Sequence, residues 1–578
     1  MVLKNQTYLI LWRFNVQREN VLKTQENLIW KKLDSIRGEG LFEMNSNKEL
    51  NPYYFFARAY NDDEQIKFNE TTSLIFKRID KEYKEVVEKI QSTFSKEELK
   101  DILTSSLYYK RFIEAERGAT YVPETLLNLV SRLLEIKGDD SIYNPFSGYG
   151  EFIEYINRLN PEVCIEGHEL SSQKYSFSEL RKEILSLNAK IFHTDPFMVL
   201  KERESYNKMF AFPPFVTKNF YSKIPEHSVD INQWLEENNI DRYESLIYII
   251  KNIIELKRLE KAVYILPTGK LINHLDSKIR EFLVDNGYIE GIIQLPERMF
   301  PTTMISFSII LISKGNKSIR LVDATESYID NRYIRELSEE NIQEIIKAYQ
   351  EHSKISKEFN VEEIRNNGYV LLPKRMVVPE ELTIDNYYRL KDIAYIQRGV
   401  SGINRKELDE RSTSKTSINK YIQSSDLSET LDYSKLNTLN HIEESENKYL
   451  VDNEDILISK VQNFNSMIVE GAEKYKILAS GNLYKITLKK ESEIDPFYIQ
   501  AYLDTEHAKQ QISRLTSGTV TSMLPISALG DLKIPKVSKD EEKNIVHKYK
   551  NIVRKIRITN QQLKTLEEDK NILFEDVL

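Results

Sequence analysis

The chain has 578 residues, more than one domain usually holds, and three domains are the expected number. Hydrophobic residues make up 40% and charged residues 29%, the balance of a soluble globular protein. The formal net charge of -8 excludes attraction of nucleic acid through bulk charge, so DNA contacts need locally placed basic residues. The single cysteine, Cys164, excludes a disulfide framework or a cysteine-based zinc site within the chain and fits a reducing cytoplasm.

The amino-terminal region, residues 1 to about 135, is predicted to be helical. Its opening apolar patch is short and soon interrupted by an arginine, which predicts neither a membrane span nor a targeting segment. Apolar residues in LKTQENLIWKKLDSIRGEG recur at steps of three and four, and the stretch ends in glycines that favour a helix stop. A second helical stretch begins with a capping box, Ser95 and Glu98, and ends at Gly118.

Between about residues 141 and 325, short apolar runs alternate with amphipathic stretches. The first runs are SIYNPF, EFIEYINRL, VCIEGHEL, KYSFSELRKEILSL and KIFHTD. The later ones are KAVYILP, DSKIREFLVDNG, YIEGIIQLP and ISFSIILISK. Strands that alternate with helices predict an α/β domain whose mostly parallel sheet is covered on both faces.

A nucleotide-type signature lies at the first three strands of this region. SIYNPF leads into Gly148 and Gly150, and glycines at such a turn allow close approach of the backbone to a ligand. The next strand ends in Glu169, which is placed to accept hydrogen bonds from ribose hydroxyls. The strand after it ends in Asp195, a candidate for contact with an adenine amino group. The pattern favours recognition of an adenosyl group over a purely structural turn.

From about residue 385 the spacing becomes irregular, with short strand-like pieces such as DILISKV, SMIVEG and LYKITLKK. A long helix, roughly residues 539 to 572, closes the chain. Its apolar residues follow alternating three- and four-residue steps, with Thr559 as the polar gap: Ile545, Tyr549, Ile552, Ile556, Leu563 and Leu566. This stripe predicts a coiled-coil seam, and packing of the helix on its own domain is the alternative.

A group of lysines in the same region is a candidate DNA-binding surface. Tyr475 and Tyr484 lie between its members, which are Lys474, Lys476, Lys485, Lys489 and Lys490. Lysines on a domain surface are commonly only solvated, so both interpretations stay open.

Several segments, in order, resemble the modification subunits of type I restriction–modification systems, which are adenine-N6 DNA methyltransferases that use S-adenosylmethionine. These segments are ENLIWKKLDSIRG, GATYVP (118–123), NPFSGYG (144–150), GHEL (167–170), LPTG (266–269), IIQLP (292–296) and FPTT (300–303). The resemblance implies a Rossmann-like methyltransferase domain. It implies that the cofactor-binding residues are Tyr121, Pro123, Asn144, Pro145, Gly148, Gly150, Glu169 and Asp195.

The motif Phe212-Pro213-Pro214-Phe215 stands where this family carries Asn-Pro-Pro-Phe. In the family motif the first side-chain oxygen accepts a hydrogen bond from the amino group that is methylated, the prolines stiffen the turn, and the last aromatic ring stacks on the base. Phe212 has no acceptor. Val122, in place of a hydroxyl residue, and Asn144, in place of an acid, are further departures from the family pattern.

Residues 388–578 resemble one half of a type I specificity subunit. The matching segments are LKDIAYIQRG (390–399), DILISK (455–460), GT (518–519) and LKIP (532–535). The resemblance implies a domain that recognises a few base pairs of DNA.

The predicted order is a helical domain (1–135), a Rossmann-like methyltransferase domain (136–380), an α+β target-recognition domain (385–538) and a carboxyl-terminal coiled-coil helix (539–578). The predicted function is site-specific adenine-N6 methylation of double-stranded DNA in a restriction–modification or phage-defence system. The alternative is a DNA-recognition subunit whose catalysis is impaired by Phe212, and RNA methylation is a weaker option. Expected partners are a second copy of the chain and a restriction or other defence subunit. No metal and no membrane contact are expected.

Overall fold

The protein is seen in a computed structural model that describes residues 32, 51–62, 66–105, 121–196, 206–214, 229–240, 246–300, 303, 305–331, 334–378, 382–401, 403, 405–413, 417–427, 433–461, 464–516 and 523–572. The chain forms two compact units. The amino-terminal unit comprises Met1–Arg320, Ala324–Glu351 and Glu358–Tyr369, and the carboxyl-terminal unit comprises Leu321–Asp323, His352–Lys357 and Val370–Leu578.

Four short helices open the described part of the amino-terminal unit: α1 (Tyr53–Tyr60), α2 (Glu70–Glu82), α3 (Lys84–Thr93) and α4 (Lys96–Thr104). The predicted capping box starts α4, since Ser95 Oγ accepts from Glu98 N at 3.2 Å and Glu98 Oε2 accepts from Ser95 N at 2.9 Å. The helix ends at Thr104, earlier than predicted. Gly118 and nearly all of the first predicted helix lie outside the described residues.

A nine-stranded sheet follows, in the order β11-β8-β6-β7-β5-β4-β1-β2-β3. Its strands are β1 (Ser141–Asn144), β2 (Cys164–Glu169), β3 (Ala189–His193), β4 (Lys208–Ala211), β5 (Lys261–Pro267), β6 (Ile289–Gln294), β7 (Phe307–Ile312), β8 (Ser318–Asp323) and β11 (Ser356–Asn360). A separate pair consists of β9 (Ile329–Asn331) and β10 (Ile334–Glu336).

The helices of this region are α5 (Glu124–Leu134), α6 (Glu151–Leu159), α7 (Ser172–Leu185), α8 (Val229–Glu237), α9 (Ile247–Glu255), α10 (Ser277–Asp285), α11 (Glu339–Gln350) and α12 (Val361–Asn366). A 3-10 turn covers Thr268–Leu271. The predicted α/β class is confirmed.

Strand direction explains where a ligand site forms. The strands β3, β2, β1, β4 and β5 are parallel neighbours, and β7 runs antiparallel between β5 and β6. The carboxyl ends of the parallel strands therefore meet at one edge of the sheet. The central strand β4 was not predicted, because four residues that are all buried show no periodicity.

A buried ion pair ties the opening helices to the sheet domain. Arg181 on α7 pairs with Glu154 on α6, and its side chain is 2% exposed. Arg181 also donates to the Tyr53 hydroxyl at 3.2 Å, which in turn donates to the Leu103 carbonyl at 2.7 Å. Burial raises the pKa of Tyr53 to about 12, which keeps this hydroxyl protonated and able to donate.

The carboxyl-terminal unit is built from short strands, as predicted. The strands are β12 (Tyr387–Arg389), β13 (Ala394–Arg398), β14 (Asn419–Ile422), β15 (Asn437–Thr438), β16 (Leu450–Val451), β17 (Ile456–Ser459), β18 (Ser466–Ile468), β19 (Lys476–Ala479), β20 (Leu483–Leu488) and β21 (Lys533–Pro535). They form two four-stranded sheets, β13-β20-β17-β18 and β15-β14-β19-β16, and the pair β12-β21.

The helices of this unit are α13 (Pro373–Met376), α14 (Leu390–Ile393), α15 (Arg405–Arg411), α16 (Pro496–Leu503), α17 (Glu506–Thr516), α18 (Ile526–Gly530) and α19 (Lys539–Ile572). Short 3-10 turns cover Ser424–Asp426, Glu444–Tyr449, Ala472–Lys474 and Lys490–Ser492. Across the described residues, no helix has both the length and the apolar character needed to cross a membrane.

The two halves of α19 have different surroundings. In the first half Val546 is buried and the Tyr549 hydroxyl donates to Asp504 Oδ2 at 2.6 Å, so this half packs on its own domain. In the second half Leu563 and Leu566 are 54% and 65% exposed. Of the predicted stripe, Tyr549 packs on its own domain, whereas four members are exposed among the described residues: Ile545, Ile552, Leu563 and Leu566.

We predict that Glu154→Ala lowers the free energy of unfolding of the amino-terminal unit by about 3–5 kcal/mol, because it removes the carboxylate that pairs with the buried Arg181 guanidinium. Urea denaturation followed by tryptophan fluorescence and circular dichroism measures the change. Glu82→Ala is the control, since the Arg78–Glu82 pair on α2 is exposed and of small effect. Equal shifts for the two variants would contradict the role of the buried pair.

Candidate functional site

A cavity of about 490 Å³ lies at the carboxyl ends of β1, β2 and β4. Its walls are Val122, Asn144, Phe146, Ser147, Gly148, Glu151, Phe152, His168, Glu169, Leu170, Ser171, Lys174, Pro196, Phe210, Phe212, Pro213 and Pro214. Cavities of about 300–1,000 Å³ are typical of small-molecule sites, and this edge of an open α/β sheet is their usual position.

The turn after β1 is held by the acid at the end of β2. Gly148 has a φ of 58°, and its N–H donates to Glu169 Oε2 at 3.0 Å. The other carboxylate oxygen, Oε1, accepts from Ser171 N at 2.7 Å. Burial raises the pKa of Glu169, although these backbone donors oppose the rise. Glu169 thus fixes the position of both loops at the cavity floor.

Asn144 links β1 to β4 beneath the cavity. Its Nδ2 donates to the Phe210 carbonyl at 2.9 Å. Its Oδ1 is buried and has no hydrogen-bond partner within the described part of the chain. A buried acceptor of this kind is suited to a donor group on a ligand.

Three residues of the proline motif line the cavity: Phe212, Pro213 and Pro214. Phe215 lies outside the described residues. The Phe212 ring stacks on Phe300 with a centroid distance of 5.1 Å and meets the edge of Phe307 at 5.7 Å. The first position of the motif therefore contributes an apolar surface, held in place by two other aromatic rings.

Some predicted cofactor residues do not line the cavity. Gly150 has a φ of 85° at the start of α6, and an added Cβ would lie 3.3 Å from Ser178 Cβ on α7. Its small size therefore serves helix packing. Tyr121 is buried in the aromatic core of the opening helices. Asp195 precedes Pro196, which is the residue that lines the cavity.

Pro123 and Pro145 are likewise not wall residues, and their neighbours Val122, Asn144 and Phe146 are. Two charged wall residues, Glu151 and Lys174, were not predicted. The signal that was available for both is position: Glu151 directly follows Gly150, and Lys174 lies in the first turn of α7 after Glu169.

The predicted DNA-binding lysines fall into two groups. Lys474, Lys476 and Lys490 are exposed. By contrast, Lys485 Nζ donates to the Leu450 carbonyl at 2.7 Å and is half-buried.

Lys489 Nζ donates to the carbonyls of Lys391 and Asp392, both at 3.0 Å. Tyr484 is buried, with its hydroxyl donating to the Leu524 carbonyl at 2.8 Å, so its ring is not available for stacking on DNA. Three of the five lysines remain as a candidate surface in the carboxyl-terminal unit.

Comparison with known proteins assigns both regions to families. Residues 107–385 match the N-6 DNA methylase family, and residues 386–568 match the type I restriction modification DNA specificity domain. The fold and its cavity are thus those of a methylase-type domain joined to a specificity domain. The ordered sequence segments predicted this pairing, and the two matches confirm it: an N-6 DNA methylase region (107–385) is followed by a type I specificity region (386–568).

Curated relatives are type I methylase subunits. The MjaVIII methylase subunit of a type I restriction enzyme from Methanocaldococcus jannaschii is 26% identical over 313 residues, 49% of this chain and 54% of the relative. The HindI methylase subunit from Haemophilus influenzae is 23% identical over 312 residues, 48% of this chain and 69% of the relative. The chain spans about half the length of the first of these relatives.

Among solved structures, a type I restriction-modification system methyltransferase subunit from Streptococcus thermophilus is similar, with a TM-score of 0.46 and 19% identity. The match covers 58% of this chain and 78% of that chain.

Proposed function

We propose that this protein is a site-specific DNA methyltransferase that transfers a methyl group from S-adenosylmethionine to N6 of adenine in double-stranded DNA. The observation that carries the proposal is the cavity itself. The cavity lies within the region that matches the N-6 DNA methylase family. It brings the glycine turn and Glu169 together with the proline motif at one edge of the sheet. The specificity domain in the same chain would select the DNA site.

The walls of the cavity fit the chemical parts of S-adenosylmethionine. Glu169 is the acid for the ribose hydroxyls, and no donor among the described residues occupies the Asn144 Oδ1 acceptor. Val122, Phe146 and Pro196 supply apolar surface for the adenine ring. The cofactor, when bound, supplies a methyl group on a positively charged sulfur.

Pro213 and Pro214 form part of the cavity wall. The target adenine, rotated out of the duplex, would pack against this wall. The rigid prolines keep the position of this wall fixed, because each has a restricted φ. Phe212 contributes contact area to the base and no hydrogen-bond acceptor for its amino group.

A second candidate function is DNA recognition without efficient methyl transfer. It is favoured by the packing of Phe212 on Phe300 and Phe307, which leaves an apolar ring where the family motif places an amide oxygen. The two candidates share cofactor and DNA binding and differ in turnover, so a transfer assay separates them.

The proposed partners are double-stranded DNA, a second copy of the chain, and a further restriction or defence subunit. The exposed lysines of the carboxyl-terminal unit are proposed to contact phosphates, and the exposed end of α19 to pair with its copy. A reducing compartment suits a chain with one cysteine, and we propose the cytoplasm.

We predict that Phe212→Asn raises the rate of methyl transfer to adenine-containing duplexes by about tenfold or more. The amide restores an acceptor for the amino group, and single preorganised hydrogen-bond partners contribute roughly 10²–10³ in rate. Transfer of tritium from labelled S-adenosylmethionine to mixed-sequence DNA measures it. Phe212→Leu is the matched control, since it removes the ring without adding an acceptor. A Phe212→Asn variant no faster than Phe212→Leu would show that another group positions the amino nitrogen.

We predict that replacing Lys474, Lys476 and Lys490 by alanine reduces the slope of log affinity for DNA against log salt by about 2–3. Each phosphate contact contributes about 0.9 to that slope through counterion release. The control replaces Lys448, Lys543 and Lys548, which are exposed elsewhere in the same unit and give the same change in net charge. Equal slopes for the two triple variants would show that these three lysines do not contact DNA phosphates.

We predict that the protein is a dimer at micromolar concentration and that Ile552→Asp with Leu563→Asp makes it monomeric. These side chains are 56% and 54% exposed in the single chain, and a carboxylate buried in a helix–helix seam is unfavourable. Ile558 is also exposed and lies off this stripe. Sedimentation velocity measures the change.

The control is Gln561→Asp, which introduces one negative charge about two and a half turns beyond Ile552, on the opposite face of α19. It is expected to stay dimeric. A wild-type chain that sediments as a monomer, both alone and with DNA, would contradict dimerisation. A separate specificity subunit would then be the better candidate for the partner of this chain.

A further inference from the structure

Glu151 places a carboxyl group inside the cavity, at a position that the sequence motifs do not explain. It is the first residue of α6 and follows the left-handed Gly150. The residue is only 8% exposed and forms part of the cavity wall. A Cβ added to Gly148 would lie 3.2 Å from Glu151 Oε2, so the carboxylate lies directly over the glycine turn.

The charges that face Glu151 do not neutralise it. Glu169 is a second acid in the same cavity and interacts unfavourably with it, while Lys174 on α7 interacts favourably. Lys174 is not within ion-pair distance of either acid in the part of the chain that the structure describes, and its Nζ lies 5.3 Å from the centroid of the Tyr149 ring. His168, also in the wall, is hydrogen-bonded to Glu166 and Thr194. Among the described wall residues, two acids therefore share the cavity with one lysine.

Burial is the dominant influence on this carboxyl group. It raises the pKa of Glu151 to about 7, against the opposing effects of backbone donors at the helix start and of Lys174. A carboxylate out of water without an ion-pair partner is unfavourable, and a cation bound beside it removes that penalty. A cavity of this kind is suited to a ligand that carries positive charge close to the glycine turn.

S-Adenosylmethionine carries that charge, and its product does not. The cofactor has a sulfonium centre in addition to its amino group, whereas S-adenosylhomocysteine, which remains after methyl transfer, has a neutral thioether. The two molecules are otherwise alike in their adenine, ribose and amino-acid parts. A buried acid near the sulfur is therefore able to distinguish them by charge alone.

We propose that Glu151 is the specificity-determining residue that pairs with the sulfonium end of S-adenosylmethionine and makes the cavity prefer the cofactor over S-adenosylhomocysteine. This role rests on the proposed function, since it assumes that the cavity holds the cofactor. Loss of the sulfonium charge on transfer removes the partner of Glu151, which promotes release of the product.

The direction of the pH dependence follows from the protonation of Glu151. Below pH 7 the carboxyl group is largely protonated and neutral, and above pH 7 it is charged. Affinity for S-adenosylmethionine relative to S-adenosylhomocysteine should therefore rise by about tenfold between pH 6 and pH 8. The Glu151→Gln variant separates this effect from titration of the ligands' own amino groups, because it keeps the ligands unchanged and lacks the carboxylate.

The experiment is isothermal titration calorimetry of the full chain with each ligand at pH 6 and pH 8, for the wild type, Glu151→Gln and Glu169→Gln. Glu151→Gln should weaken binding of S-adenosylmethionine by about tenfold, the worth of one charge-assisted contact, and leave S-adenosylhomocysteine within about twofold. The pH dependence of the ratio should disappear. Glu169→Gln is the matched control, because it removes the same charge from the same cavity and should weaken both ligands alike. Retained binding of S-adenosylhomocysteine by Glu151→Gln also shows that the variant is folded.

Each result decides the matter. A Glu151→Gln variant that loses both ligands equally, or neither, overturns the role of Glu151 and leaves the proposed function standing. Tighter binding of both ligands to that variant also overturns it, since Glu151 would then be an obstruction. A wild type that binds neither ligand overturns this role and the proposed methyltransferase function together.

Discussion

The carboxylate of Glu169 is the interaction on which the site depends. Its two oxygens accept hydrogen bonds from Gly148 N at 3.0 Å and Ser171 N at 2.7 Å, and so join the loop after β1 to the loop after β2. Neighbouring parallel strands bring these loops to one edge, but strand pairing alone does not fix the path of the chain beyond the last ladder bond. The bridge fixes it, and the start of α6, with Glu151, takes its position from the same turn. Each carboxylate oxygen keeps a second lone pair, so the bridge need not break when a ligand hydroxyl binds.

The polar groups of the cavity are unevenly distributed. On the side formed by β1 and β4, Asn144 is neutral and its amide is used to bind the Phe210 carbonyl, and Phe212 is apolar. On the side formed by α6 and α7, Glu151 and Lys174 carry charge. The first side includes Phe212 of the proline motif, and the second begins at the glycine turn, since Glu151 directly follows Gly150. Under the proposed function, the charged side would bind the charged part of the cofactor and the proline motif would position the base, so a change in the motif would leave the charged groups in place. This separation is why an altered first position in the motif does not by itself argue against cofactor binding.

Periodicity predicted the α/β sheet because short apolar runs alternate with amphipathic stretches from β1 to α7 and from β5 to β7. It missed β4, whose four residues are uniformly buried. Ligands in open α/β sheets bind at the carboxyl ends of the strands, and this rule predicted the cavity and Glu169. The rule does not predict which side chain at a strand end faces the ligand. Glu151 was not predicted to line the cavity, because the adjacent glycines indicate a role for the backbone at this turn. The direction of a side chain at a helix start also depends on the turn before it. Likewise, no sequence pattern shows that Lys485 and Lys489 are bound to carbonyl groups of their own chain.

The long helix α19 extends from the carboxyl-terminal unit in a fixed orientation. Val546 and Tyr549 fix its first half to the domain, and a helix of 34 residues at about 1.5 Å per residue is about 50 Å long. Since the helix is continuous, the exposed second half has a set orientation relative to the sheets of the same unit. Two chains paired along that half would hold their specificity domains at a fixed separation, related by a two-fold axis. DNA offers matching faces only at helical repeats, so a fixed separation selects a site of two short parts with a defined spacer. The length and anchoring of α19 would then decide the spacer, and the loops of the two small sheets would decide the bases.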